Sequence, residues 1–136
     1  MYVVQAVDGR RRWISGVFRS KVAADEYLCL IPDQARGKHF VLDLAGLSYP
    51  LYVCEDGVKG FRFLTEAEVV ADLKQYATEQ RQKSEDWCYT NLYRIEDDWC
   101  PRLPGTDYMG VLPHYHVNNW TLDRVEQEGF ESLWRR

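Results

Sequence analysis

The sequence predicts an α+β domain, with an antiparallel or mixed sheet and helices packed on one face. Three observations lead there. Short runs rich in Val, Tyr and Phe are separated by turn residues. Between them lie stretches whose apolar residues recur at helical spacing, opened by residues that cap helices. The 136 residues, 46% hydrophobic and 28% charged, have an ordinary globular composition, which excludes disorder, collagen and coiled coil.

The elements follow in order. Tyr2 to Val7 reads as a strand, Asp8-Gly9-Arg10 as a turn, and Trp13 to Phe18 as the returning strand. Arg10 to Arg12 fall at the hairpin tip, where a solvated loop is expected. Ser20 is placed to N-cap a helix that runs to about Leu30, with Ala23, Ala24, Tyr27, Leu28, Leu30 and Ile31 forming its apolar side, and Pro32 ends it. Asp33 to Lys38 reads as a polar loop. His39 to Leu44, Tyr49 to Cys54 and Lys59 to Leu64 read as strands, with Glu55-Asp56-Gly57 as a solvated turn. Thr65-Glu66-Ala67-Glu68 is a capping box, flanked by Leu64 and Val69 at the staple positions. The helix it opens turns wholly polar over Thr78 to Ser84. Residues 1–83 thus give the order β-β-α-β-β-β-α, and residues 1–136 are expected to form a single domain.

The last third has a different character. Trp87 to Ile95 reads as a strand without a cleanly apolar face. Residues 96–120 show no sustained period and read as a long irregular loop. A final helix is expected with Thr121 as N-cap, Trp120 and Val125 as a staple, and Leu122, Val125, Gly129 and Leu133 along one face.

No apolar run reaches the length of a membrane span, and the first residues carry no secretory signal, so a cytoplasmic protein is expected. Cys29, Cys54, Cys88 and Cys100 lack any CxxC spacing and read as reduced, mostly buried thiols. The net charge of −4 argues against a nucleic-acid partner. Residues 1–62 carry nine Lys/Arg and seven Asp/Glu, whereas residues 63–136 carry eight and fourteen, so the excess acid is concentrated late in the chain.

His114 and His116 stand two apart and would share a face of an extended segment, from which two imidazoles could ligate a metal with Cys88 and Cys100 as further ligands. The cysteines lack the close pairing of zinc sites, so neither a metal nor another cofactor is expected. Phosphate-binding glycine loops and nucleophile elbows are absent from the sequence. Residues 85–99 pack four aromatics and five carboxylates against one arginine, and seven of the 19 aromatics lie between Trp87 and Trp120. Aromatics whose polar tips stay wet are typical binding anchors, and carboxylates around them steer a basic partner. Glu85, Asp86, Trp87, Tyr89, Tyr93, Asp97, Asp98 and Trp99 are therefore the expected contact residues, with Tyr108, Tyr115 and Trp120 behind them.

In size, composition and layout the whole chain resembles the immunity proteins that bacteria carry against polymorphic and type VI secreted toxins. That resemblance implies a protein without chemistry of its own, which binds a cognate toxin enzyme and occludes its active site. The acidic aromatic segment implies a toxin with a basic surface. Two other classes stay open: a small metal- or thiol-dependent enzyme using His114, His116 and a Cys, and a self-assembling structural subunit.

Overall fold

The computed structural model describes residues 1–56, 60–80, 90–117 and 119–135. It is an α+β fold with two antiparallel sheets. The chain divides into two compact units, each discontinuous: Met1–Tyr49 with Ile95–Leu112, and Pro50–Arg94 with Pro113–Arg136.

In the first unit, β1 (Tyr2–Asp8), β2 (Arg11–Phe18) and β3 (His39–Asp43) form a sheet in the order β2-β1-β3. The β1–β2 hairpin closes through Gly9-Arg10, with Asp8 opposite Arg11. Its register shifts at Val4/Gln5: Val4 faces Gly16 while Gln5 faces Ile14, so Ser15 is the extra residue of a bulge. The central strand β1 is buried on both faces, with Val3 and Val4 fully inaccessible. Helix α1 (Lys21–Leu30) is capped as its sequence requires, since the Ser20 hydroxyl accepts from the Ala23 amide at 3.0 Å. It buries Ala24 and Tyr27 against Val4 and Phe18.

The expected polar loop after Pro32 contains instead a short helix, α2 (Asp33–Arg36). One turn with a single ion pair has too little periodicity to be read from sequence. Its Arg36 donates to the carbonyls of Cys29 and Ile31, both at 3.1 Å, and so satisfies acceptors left open at the end of α1.

In the second unit, β4 (Leu51–Asp56), β5 (Gly60–Leu64), β6 (Thr90–Ile95) and β7 (His114–Val117) form a sheet in the order β5-β4-β6-β7. Helix α3 (Glu66–Gln80) opens on the expected capping box: the Thr65 amide donates to Glu68 Oε1 at 3.1 Å, and the Glu68 amide donates to Thr65 Oγ1 at 3.3 Å. The sequence's strand from Trp87 begins, in the described residues, at Thr90, and the polar stretch after Gln80 lies outside them. Helix α4 (Asn119–Glu128) completes the unit. Tyr52 and Cys54 of β4, Leu92 of β6 and Val117 of β7 share one core with Val69 and Leu73 of α3 and Leu122 of α4. Strand alternation puts those strand residues on one face, so both helices cover the same side of this sheet.

Four expectations for the C-terminal third are corrected. Residues 96–120 are not structureless: they hold a bridge between Trp99 and Val17, a 3-10 turn at Met109–Val111, and β7. Helix α4 starts two residues before Thr121, whose hydroxyl donates to the His116 carbonyl at 2.8 Å rather than capping. Trp120 is no staple, since it is 79% exposed. Gly129 does not continue the apolar face; at φ +89° it ends α4, and a 3-10 turn at Phe130–Trp134 follows. A left-handed residue is disfavoured for any side chain with a Cβ, which is why a glycine holds this stop. No helix among the described residues is long and apolar enough to cross a membrane.

Candidate binding surfaces

The sequence's contact residues are divided between the two compact units. Asp97, Asp98, Trp99 and Tyr108 belong to the first unit, and Tyr93, Tyr115 and Trp120 to the second. Glu85, Asp86, Trp87 and Tyr89 lie outside the described residues.

In the first unit the Asp97–Trp99 turn is tied to its own neighbours. Asp98 Oδ1 accepts from the Tyr49 hydroxyl at 2.7 Å and from the Arg19 amide at 3.0 Å. Asp97 Oδ1 accepts from the Asp98 amide at 2.8 Å and stands 3.5 Å from the Arg19 guanidinium. That guanidinium lies 5.0 Å from the Tyr49 ring centroid. Trp99 exchanges backbone hydrogen bonds with Val17 at 2.8 and 2.9 Å. A Cβ on Gly16 would meet the Phe18 ring at 2.6 Å and the Trp99 carbonyl at 3.4 Å, so the glycine makes room at this junction. Burial, reinforced by the bond to Asp98, pushes the Tyr49 hydroxyl pKa up. Burial and Asp98 likewise raise the Cys100 thiol, which leaves it protonated and a poor nucleophile. Asp98 is thus a structural acceptor that fastens the turn to the end of β2. Arg19 and Tyr49 were missed from sequence, because they meet Asp98 across separations of 79 and 49 residues with no local signal.

Another tether of the same unit centres on Tyr27. Its hydroxyl shares a 2.6 Å hydrogen bond with Ser15 and accepts from the Gly105 amide at 3.0 Å. Burial raises its pKa. Tyr108, 43% exposed, precedes the 3-10 turn and stays on the surface.

In the second unit Tyr93 is corrected from a contact residue to a buried one, at 5% exposure. It stands on the sheet face opposite Leu92, and its hydroxyl donates to Glu55 Oε2 at 2.9 Å. Asn91 Nδ2 donates to the same oxygen at 3.2 Å. Glu55, read from sequence as a solvated turn, is therefore a β4 residue that anchors this face. Alternation from buried Cys54 is the signal that places it there. Tyr93 packs against His114, ring centroids 5.2 Å apart, and His114 lies 5.9 Å from His116. Tyr115 turns to the other side and meets Trp134 edge-on at 5.4 Å.

Of the cysteines weighed as further ligands beside these histidines, Cys88 lies outside the described residues and Cys100 belongs to the first unit. The expectation of mostly buried thiols is corrected as well: Cys54 is in the helix-covered core, but Cys29 and Cys100 are exposed. No group of three or more His, Cys, Asp or Glu among the described residues is arranged to hold a metal ion.

Trp120 is the most exposed of the large hydrophobic side chains among the described residues. It sits on the first turn of α4, whose inner face buries Thr121 and Leu122 in the unit's core. Asp123, Arg124, Glu126, Gln127 and Glu128 are exposed along the same helix. Arg124 pairs with Glu128 at 3.5 Å, and the helix carries a formal charge of −2. Trp is highly buried on average in folded proteins, whereas this indole is 79% exposed.

Comparison of the chain with protein-family models, with curated proteins and with solved structures returned no match.

Proposed function

We propose that this chain is a binding protein that docks on a basic protein surface through Trp120 and the acidic outer face of α4. The observation that carries this reading is the exposure of Trp120. A rigid indole contributes large contact area at low entropic cost, and Trp is enriched among the residues that dominate binding energy. Acids around such an anchor raise the association rate with a cationic partner and fix its register more than they add affinity. Together with the size and layout of the chain, these features favour an immunity-type inhibitor that acts in the cytoplasm by occluding a toxin enzyme with a cationic active-site surface. No catalytic step is needed of the protein itself.

The test is calorimetric titration of the untagged protein against the product of the adjacent gene. Trp120→Ala is expected to weaken binding by at least tenfold while leaving the circular dichroism spectrum unchanged. Unaltered affinity in that variant would remove the α4 face from the interface.

A further inference from the structure

We propose that His114 and His116 form a chelating site for a divalent transition-metal ion on the outermost strand of the second unit's sheet. Strand β7 stands last in the order β5-β4-β6-β7, so its outer side carries no further strand among the described residues. Its alternation is locked by burial: Val117 belongs to the core and Tyr115 packs against it, which turns both histidines to the opposite face. A slip of one residue would expose Val117 and bury an imidazole, so the pair cannot easily be lost by register change.

The two rings already stand close, with centroids 5.9 Å apart. They differ in freedom. His116 is exposed and able to reorient, whereas His114 is half-buried and held against the Tyr93 ring, whose hydroxyl is fixed by Glu55. One ligand is thus positioned and the other adapts to the ion. Each imidazole has two ring nitrogens, so one can ligate while the other keeps a hydrogen bond, the arrangement that orients metal-bound histidines. The Glu55 carboxylate on the same face adds negative charge, which favours a cation.

The donor set decides the metal class. Two imidazoles without sulfur suit Ni2+, Cu2+ or Zn2+ and not the hard cations Mg2+ and Ca2+. With no third ligand among the described residues, water completes the shell, and the ion is not required for folding. This separates the site from closed structural zinc centres, whose cysteine spacing the sequence lacks.

Ni2+ is the suitable probe, since it does not oxidise the reduced thiols. Untagged protein is titrated with Ni2+ by calorimetry and by NMR of the histidine ring protons. The expected result is one equivalent bound, with paramagnetic broadening of the His114 and His116 signals while those of His39 stay sharp. His116→Ala, at an exposed position, should keep the fold and lower the affinity at least tenfold. His114→Gln should do the same, which guards against a packing effect of either change alone. Absence of binding, binding undiminished in His116→Ala, or broadening centred on His39 would overturn the proposal.

Discussion

Two turns invite comparison, Asp97–Trp99 in the first unit and the opening turn of α4 in the other. Each places a tryptophan beside or shortly before carboxylates, late in the chain. In the structure they are opposites. The Asp97–Trp99 turn faces inward in its bonding: Trp99 pairs backbone to backbone with Val17, and Asp98 takes up the Arg19 amide and the Tyr49 hydroxyl. Trp120 rests on a helix whose packing is complete without it. Aromatic and acidic composition alone therefore does not mark a binding surface. What marks one is an anchor left over after the local backbone and core have satisfied their own needs.

Charge, too, is redistributed by the fold. Divided along the sequence, residues 63–136 carry a formal −6 and residues 1–62 a formal +2. Divided by compact unit, Met1–Tyr49 with Ile95–Leu112 carries a formal −1 and Pro50–Arg94 with Pro113–Arg136 carries −3. Part of the acid that the sequence offers to a partner is the Asp97–Asp98 pair that fastens a turn.

Four changes would break or sharpen this contrast, in decreasing order of effect. Leu92→Ala removes a fully buried side chain from the core on which β7 and α4 rest. It should cost about 2–5 kcal/mol in denaturant titration and undermine the platform of Trp120. Asp98→Ala leaves the Tyr49 hydroxyl and the Arg19 amide without their acceptor. A loss of about 1–2 kcal/mol is expected, with partial recovery in Asp98→Asn. Ser20→Ala removes the cap of α1 and should cost about 1 kcal/mol, measured by thermal melting.

The last change concerns pH. The folded state holds the Tyr49 proton above its ordinary pKa of 10.0, so its contribution is fully present below that value. As pH rises past 10.0 the unfolded chain ionises first, and stability must fall with pH. Denaturant midpoints measured between neutral pH and the alkaline range should show this decline, and it should be shallower in Tyr49→Phe. Tyr27 and Cys100, shifted in the same direction, leave a residual slope.

Much of the fold was legible because it rests on local chemistry. Ser20 and the Thr65–Glu68 box cap helices within four residues of themselves, and the hairpin at Gly9 closes within two. The strands from Tyr2 to Leu64 declare themselves by side-chain type. The division into two sheets was not legible, because strand neighbours are chosen by long-range packing: β1 takes β3 across α1 and α2, and β4 takes β6 across α3. Strand β7 hid inside a proline-flanked segment only four residues long, whose period is too brief to read. Of the candidate surfaces, the sequence named Trp120 and both histidines but could not separate them from Tyr93 and Asp98. That separation depends on burial and on partners such as Glu55 and Tyr49, which lie 38 and 49 residues away.

The most direct measurement crosses the two turns. Asp98→Ala and Trp120→Ala are each assayed for unfolding free energy and for affinity towards the adjacent gene product. Opposite profiles are expected: Asp98→Ala loses stability and keeps affinity, whereas Trp120→Ala stays within about 0.5 kcal/mol of the parent in stability and loses at least tenfold in affinity. Trp120→Ala binding as tightly as the parent while Asp98→Ala releases the partner would contradict the assignment of the anchor to α4.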